Sequence, residues 1–328
     1  EEAKASAERD EASVSGSKNP WKETLAVFAV KLAADADNPL DVLTLEDVIA
    51  IAEGKRIKRD ADGKRVIIRN ADGSYAGTEY VPDEADNGNR PGVYIETKAP
   101  WMFAGMEETL LEILTRTGWY AEDINQLKKI PYKDGKPGEV DVANTPARII
   151  LQTFEQDGLA NFNRVFKRKI PTLYLFGDMS STPQSYAAHI NFAIDNGATA
   201  MGPNIDYISG YPTSLKSWQA AMIQKAGMDV HAWTFNTQNH MLAYTGPWTD
   251  PTKEGGPDKN LVDMVFTNHA DLAIDYYRTT LQGYLDKGLN YFKSNANNPW
   301  FRDKGDNLQL HKTRRTAQEV LDELGYYK

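Results

Sequence analysis

From residue 91 onward the chain alternates between short apolar runs of strand type and longer runs with a helical period. The strand-like runs cover residues 92–98, 148–154, 171–176, 198–202, 229–235 and 263–267. The helix-like runs cover residues 105–117, 157–168, 184–196, 214–227 and 270–286. Strands that alternate with helices are typical of βαβ units, whose strands pair in parallel under a helical layer. The sequence therefore predicts an α/β fold with six such units, whereas a closed eight-stranded barrel needs two more.

Four segments lie outside this alternation, namely residues 1–43, 44–55, 56–90 and 287–328. Residues 1–43 are polar at first and then helical in period, and they predict a helical or linker segment. The stretch "TLEDVIAIAEGK" (44–55) predicts a helix capped by Thr44, with Asp47 completing a capping box. Residues 287–328 predict a C-terminal tail that ends in an amphipathic helix, which either caps the barrel or contacts a partner. The barrel domain is then expected to span residues 44–286.

Residues 56–90 interrupt that domain with two Asp-Gly dipeptides between short β-prone runs. This pattern predicts a β-hairpin insertion. The acidic and amide residues Asp60, Asp62, Asn70 and Asp72 also resemble the ligands of calcium-binding loops. Neither loop has the downstream Glu and the spacing of an EF-hand, so turn chemistry is the preferred interpretation.

Composition excludes several classes of protein. The 328 residues carry a net charge of −9, which argues against nucleic acid as the main partner. The chain has no cysteine, so disulfides, zinc–thiolate sites and thiol nucleophiles are excluded. No apolar run reaches the roughly 20 residues that a membrane-spanning helix needs.

The stretch "GVYIETKAPW" (92–101) places a carboxylate and an ammonium two residues apart, at Glu96 and Lys98. Side chains at this spacing share one face of a strand. In an α/β barrel the carboxyl end of the strand carries the active site. An ion pair that only fills the barrel interior is the structural alternative. Burial costs several kcal/mol per ion, so an interior pair at this position favours a functional role.

Six segments together resemble one family. They are "TLEDVIAIAEG", "GVYIETKAPW", "IILQTFEQDGL", "GATAMGPNIDYI", "VHAWTFN" and "DMVFTNHADLAIDY", in that order over residues 44–277. In this order they resemble motifs of the glycerophosphodiester phosphodiesterases, especially the periplasmic bacterial type with its Glu-x-Lys-Ala-Pro-Trp strand. Agreement of six motifs in register makes the resemblance specific.

The resemblance implies a TIM-type (β/α) barrel, one divalent cation, Ca²⁺ or Mg²⁺, and hydrolysis of a glycerophosphodiester to glycerol 3-phosphate and an alcohol. By position, Glu96 would bind the metal, as a carboxylate suits a hard cation. Lys98 would be the catalytic cation that neutralises the phosphate. The residues implied to bind substrate are Gln152, Phe154, Trp233 and Asn236. For Trp233, which would form an apolar wall, a packed core aromatic is the alternative.

The resembled family also uses two histidines as general acid and base, in an His-Arg-Gly and an His-Asp motif, and a Glu-x-Asp on the second strand. None of these motifs occurs here, and the 43 residues before Thr44 contain no histidine. The five histidines are His189, His231, His240, His269 and His311. The two barrel strands that are missing from the count are those that would carry the missing motifs. The barrel is therefore predicted to be incomplete.

Three explanations account for this: a fragment of a longer protein, a degenerate member whose extra segments fill the gap, or a replacement built from residues 1–40. The first is preferred, since the chain begins at Glu1 without Met or a recognisable signal peptide. Two functions follow as hypotheses. One is a hydrolase whose histidines come from sequence outside this chain, for example a second chain. The other is a non-catalytic binding, scaffold or filament protein, with a homo-oligomer as a further option. The resemblance to periplasmic relatives favours a periplasmic or secreted location.

Overall fold

The computed structural model describes residues 43–86, 90–131, 139–141, 149–177, 182–205, 215–245, 261–276 and 316–325. The α-helices are α1 (Leu45–Ala52), α2 (Met106–Thr117), α3 (Gln156–Phe166), α4 (Pro183–Asp195), α5 (Ser217–Lys225), α6 (Gln238–Thr245), α7 (Ala270–Asp275) and α8 (Ala317–Leu324). Short 3₁₀ helices cover Pro100–Met102 and Ile124–Gln126. The strands are β1 (Lys55–Ile57), β2 (Ile67–Arg69), β3 (Tyr75–Thr78), β4 (Tyr80–Pro82), β5 (Val93–Glu96), β6 (Lys129–Pro131), β7 (Glu139–Asp141), β8 (Ile149–Thr153), β9 (Thr172–Phe176), β10 (Ala200–Pro203), β11 (Asp229–Ala232) and β12 (Met264–Val265).

The main sheet has six strands in the order β5-β8-β9-β10-β11-β12. All five neighbouring pairs are parallel, and a helix follows each strand in the chain. All six predicted strands are found, with ends that differ by three residues at most. The fold is an incomplete α/β barrel in which β5 and β12 form the two edges.

The sheet curls until side chains from its two edges meet. The ring of Tyr94 on β5 lies 4.9 Å, centroid to centroid, from that of Phe266, the residue directly after β12. In a flat sheet the two edges would be about 24 Å apart, because neighbouring strands are spaced by about 4.8 Å. The Tyr94 hydroxyl also lies 2.8 Å from Nδ1 of His231 on β11. These contacts cross the concave side, which is therefore the barrel interior.

Two apolar clusters follow from this curvature. The smaller cluster fills the concave side, and its buried members are Ile150, Leu173, Leu175 and Ala200. The larger cluster lies between the convex side and the helices, and it includes Leu151, Phe162, Ile190 and Met201. Alternate residues of one strand supply different clusters, as the two-residue period of a strand requires.

Gly202 on β10 marks the tightest approach in the concave cluster. A Cβ atom at this position would lie 2.6 Å from Cδ2 of Leu175, 2.9 Å from Cδ2 of Leu173 and 3.1 Å from the carbonyl oxygen of His231. Both leucines are buried, and the third neighbour is backbone. A larger residue at position 202 therefore has little room.

Gly202→Val is expected to lower the free energy of unfolding by about 1–3 kcal/mol, the usual cost of overpacking a core. Chemical denaturation measures this loss. The double variant Gly202→Val, Leu175→Ala is the control, because the shortened leucine frees space and the two effects should not add. Unchanged stability in Gly202→Val would contradict the close packing at β10.

Helix α1 begins as predicted at the Thr44 cap. The Thr44 hydroxyl accepts from the Asp47 amide at 3.2 Å, and the Asp47 carboxylate accepts from the Thr44 amide at 2.7 Å. The same buried carboxylate accepts from Arg65 Nη1 at 2.5 Å and from the Tyr80 hydroxyl at 2.8 Å. Asp47 thus joins α1 to the segment that follows it.

That segment forms two antiparallel pairs, β1 with β4 and β2 with β3. The predicted turn chemistry is present at both Asp-Gly sites. Asp60 Oδ1 accepts from the amides of Asp62 and Lys64, and Asp72 Oδ1 accepts from the amide of Ser74. Each acidic side chain therefore closes its own turn.

The tail is described only as α8 and its flanking residues. Helix α8 contacts α4 and α5 on the outer layer and buries Ala317, Val320 and Leu321 there. Residues 1–42, 277–315 and 326–328 lie outside the described ranges, as do the predictions made for them. None of the helices within the described ranges has the length and apolar character needed to span a membrane.

Candidate active site at the carboxyl ends of the strands

Glu96 is the last residue of β5 and pairs in register with Gln152 on β8. Because the two strands are parallel, both side chains lie at the same, carboxyl edge of the sheet. Gln152 Nε2 is 3.5 Å from Glu96 Oε2, a long hydrogen bond. The Glu96 side chain is 12% exposed, and Gln152 is buried. The pair forms the floor of the candidate site.

Both residues of this floor hold an oxygen without a hydrogen-bond partner. Glu96 Oε1 and Gln152 Oε1 are among the buried side-chain oxygens of the described residues that accept no hydrogen bond. Burial raises the pKa of Glu96 above its ordinary value, and the charge of Lys98 partly opposes this. A buried acceptor without a hydrogen-bond partner costs stability, and a bound water or ion can offset that cost.

Lys98 does not lie in the barrel interior. Strand β5 ends at Glu96, and the Lys98 side chain is 79% exposed in the loop that follows. Its Nζ is 3.7 Å from Glu96 Oε1 and 5.7 Å from the ring centroid of Phe154. The interpretation of an ion pair that fills the interior is therefore wrong. Lys98 is an accessible cation at the rim, above a half-buried carboxylate.

Phe154 and Trp233 form the apolar side of the site. Their rings meet edge to face with centroids 5.4 Å apart. Trp233 Nε1 donates to the carbonyl oxygen of Gly202 at 2.7 Å, which fixes the indole above β10. Both aromatic residues are partly exposed and pack against the concave cluster. Trp233 is therefore not fully enclosed in the core, and it contacts the Phe154 ring that lies next to Lys98.

The hydrogen bonds described for Asn236 involve none of these residues. Its Oδ1 accepts from the Asn268 amide at 3.0 Å, and its own amide lies 3.2 Å from Nδ1 of His240. These bonds join the loop after β11 to the loop after β12. The geometry thus gives Asn236 a role in loop packing.

Carboxylate and amide oxygens are the ligands that Ca²⁺ and Mg²⁺ prefer. Glu96 Oε1 and Gln152 Oε1 are oxygens of this kind, and both are buried without a hydrogen-bond partner. The described part of the chain contains no group of three or more His, Asp or Glu side chains that could hold a metal. Two oxygens are too few for either ion, so a cation at this position would need further ligands from other residues or from water.

Sequence reasoning missed the pair beneath the site. Tyr94 and His231 lie two residues before Glu96 and Trp233, and they join β5 to β11 through the 2.8 Å contact. Burial lowers the pKa of His231 to about 3, so the imidazole is neutral at physiological pH. The sequence held one signal for this pair: Tyr94 precedes Glu96 by two residues, and His231 precedes Trp233 by two residues. It places Tyr94 and His231 on the same faces as the site residues.

None of the four histidines in the described ranges lies against the charged pair. His231 is in the interior, and His189 stacks on Phe176 with centroids 5.2 Å apart. His240 accepts from Asn236, and His269 is exposed after β12. All hydrogen bonds and ion pairs described for Glu96 and Lys98 involve Gln152 or one another.

Comparison with known proteins decides which family this arrangement resembles. No family model matches the chain. The glycerophosphodiester phosphodiesterase of Bacillus subtilis (strain 168) is 27% identical over 188 residues, which cover 56% of this chain and 48% of that protein. The chain is similar to the glycerophosphodiester phosphodiesterases. The resemblance inferred from the six motifs is thereby confirmed.

Two solved structures named as members of the same family also match. One, from Silicibacter pomeroyi DSS-3, is 17% identical with a TM-score of 0.33, and the match covers 54% of this chain and 47% of the Silicibacter chain. The other, from Galdieria sulphuraria, is 14% identical with a TM-score of 0.37 and covers 58% of both chains. The chain thus spans about half the length of these glycerophosphodiester phosphodiesterases.

Proposed function

We propose that this chain carries the phosphate- and cation-binding half of a glycerophosphodiester phosphodiesterase site. The observation that carries the proposal is the accessible Lys98 ammonium 3.7 Å from the buried Glu96 Oε1, an oxygen without a hydrogen-bond partner, at the carboxyl edge of a parallel sheet. Lys98 would neutralise the phosphate, since a fixed cation stabilises charge that develops in the transition state. Glu96 and the Gln152 amide oxygen would hold a divalent cation, Ca²⁺ or Mg²⁺, which neutralises further phosphate charge when bound.

The apolar side of the site would contact the carbon atoms of the substrate. Phe154 offers its ring next to Lys98, and Trp233 meets that ring edge to face, which suits the glycerol or alcohol moiety of a phosphodiester. The reaction would add water across one phosphoester bond and release glycerol 3-phosphate and an alcohol. The proton transfers of this step need an acid and a base. We propose that histidines from sequence outside this chain supply them.

A non-catalytic binding protein is the second candidate. The observation in its favour is that His231 is buried and neutral against Tyr94, and that the hydrogen bonds and ion pairs described for Glu96 and Lys98 involve no histidine. Such a protein would hold the phosphodiester through Lys98 without cleaving it. Both candidates bind the same phosphodiester, and only the hydrolase cleaves it.

Glycerophosphocholine is expected to bind this chain when Ca²⁺ or Mg²⁺ is present and to bind more weakly in a chelator. Calorimetry measures the binding, and a coupled assay measures the release of glycerol 3-phosphate. Glu96→Gln should lose the cation dependence because it removes the anionic ligand. Glu112→Gln on the exposed side of α2 removes the same charge away from the site and should have no effect.

Turnover then separates the two candidates. Hydrolysis by the longest natural form of the protein, or after addition of a second chain that carries the histidines, supports the hydrolase. Binding without hydrolysis in every natural form supports the binding protein. Absence of binding, or equal binding by wild type and Glu96→Gln, would contradict the site itself.

A further inference from the structure

Three consecutive apolar residues project from the loop beside the candidate site. Trp101, Met102 and Phe103 are 68%, 67% and 58% exposed. They follow Lys98 by three to five residues, and we call them the apolar turn. Only Ile51 and Ile68 are comparably exposed large hydrophobic residues in the described ranges, and each of them stands alone. Scattered apolar residues are normal on a surface, whereas a contiguous group marks a contact.

The backbone holds the apolar turn in this outward position. Residues Pro100–Met102 form a 3₁₀ helix, in which the Met102 amide donates to the Ala99 carbonyl and the Phe103 amide to the Pro100 carbonyl, both at 3.0 Å. Pro100 is buried and packs close to Gly158 of α3, where a Cβ would lie 3.3 Å from Pro100 Cγ. The three side chains are therefore presented by an ordered, anchored turn.

The size and shape of this surface limit what can cover it. Three side chains at these exposures offer on the order of 400 Å² of apolar surface, judged from the 150–250 Å² that an aromatic side chain can bury. A specific protein interface buries about 800 Å² on each partner, so a second copy of the chain would need much more contact. A single acyl chain would need an enclosing groove, whereas these residues protrude. A projecting group of Trp, Met and Phe fits insertion into a lipid surface.

The charges near the turn indicate which lipid surface. Lys98 is paired with Glu96, and the exposed Glu108 is paired with Arg164 at 2.6 Å. The loop thus has no excess of positive charge, and the whole chain carries −9. Anionic lipids attract clustered Lys and Arg, and such a cluster is absent among the described residues around this loop. We propose that the apolar turn inserts into a zwitterionic phospholipid surface and places the mouth of the site at that surface.

This interaction goes beyond the proposed hydrolysis and does not require it, so its test needs no turnover. The wild-type chain is expected to co-sediment with phosphatidylcholine vesicles, equally well at low and high salt. The triple variant Trp101→Ser, Met102→Ser, Phe103→Ser should lose at least tenfold in vesicle partitioning. It should keep its unfolding transition, because exposed positions contribute little to stability. Ile68→Ser, at an exposed apolar position on β2, is the matched control and should bind like wild type.

A depth measurement identifies the inserting residue. Brominated phosphatidylcholine should quench part of the tryptophan fluorescence of the wild type. Trp101→Phe should retain vesicle binding. The fluorescence that remains, from the other six tryptophans, should not be quenched by the brominated lipid.

Failure of the wild type to bind, unchanged binding by the triple variant, or binding only to anionic vesicles with suppression by salt would overturn the proposal. A change from dimer to monomer in the triple variant without lipid would instead assign the turn to a second copy. Glu96→Gln should leave vesicle binding intact, which keeps this result separate from failure of the catalytic proposal.

Discussion

Lys98→Met is expected to reduce the release of glycerol 3-phosphate by about 10²–10³-fold, the usual effect of removing one group that stabilises transition-state charge. Binding of glycerophosphocholine should fall by about tenfold or more, because a hydrogen bond to a charged group contributes about 1.5–3 kcal/mol. Methionine keeps most of the length of the side chain and its contact with Phe154. The loss can therefore be assigned to the ammonium group.

The same variant should fold as well as wild type. Lys98 is 79% exposed, so solvent screens its interaction with the largely buried Glu96 at 3.7 Å, and this interaction is expected to contribute about 0–1 kcal/mol. A large loss of activity with little change in unfolding would separate a catalytic role from a structural one. A residue that only completed an interior ion pair would show the reverse pattern.

Lys64→Met is the matched control, since Lys64 is an exposed lysine in the turn after Asp60 and Asp62. It removes the same charge without touching Glu96, Gln152 or the aromatic side of the site. Equal losses in the two variants would show that net charge is responsible. Full activity in Lys98→Met would show that the loop after β5 does not meet the phosphate.

The fold was predictable wherever local patterns determine it. The six strands follow from apolar runs, and the start of α1 follows from the spacing of Thr44 and Asp47. Where β5 ends was predicted two residues too late. The strand ladder continues only to the amide of Thr97, which donates to Gln152, and Ala99 then adopts a left-handed conformation with φ 49° before Pro100. A proline has no amide hydrogen for the ladder, and this turn carries Lys98 out of the interior.

The site was predictable only in part, because contacts between distant strands depend on curvature. The motif at Glu96 and Lys98 identifies the strand end, and the "WTFN" motif identifies Trp233. The contact between Tyr94 and His231 joins residues 137 positions apart and exists only because the sheet curls. The placement of Asn236 likewise could not be predicted from the sequence, since its hydrogen bonds to His240 and Asn268 depend on the arrangement of two loops.

Asp47→Ala is expected to lower the free energy of unfolding by about 3–5 kcal/mol, the cost of removing one partner from a buried ion pair. The Asp47 side chain is fully buried and the Arg65 side chain is 11% exposed, so the arginine would lose the Asp47 carboxylate in a largely dry environment. The Thr44 amide and the Tyr80 hydroxyl would lose their acceptor as well. Denaturant unfolding followed by far-ultraviolet circular dichroism measures the loss.

Two smaller changes test this explanation. Tyr80→Phe removes one neutral donor and should cost about 1 kcal/mol. The double variant Asp47→Ala, Arg65→Met should be more stable than Asp47→Ala alone, because no uncompensated charge remains. Additive losses in the double variant would show that the pair is not coupled.

The structural consequence of Asp47→Ala should concentrate in residues 55–82. Arg65 and Tyr80 reach α1 from the two antiparallel pairs, so the lost acceptor removes the contacts of both with one helix position. Hydrogen exchange should therefore accelerate in β1 to β4 more than in β8 to β10, which pack between the two apolar clusters. Equal acceleration in both regions would mean that the strands and the barrel unfold as one unit, with Asp47 contributing to both. Selective acceleration would show that one buried carboxylate anchors these strands to the barrel.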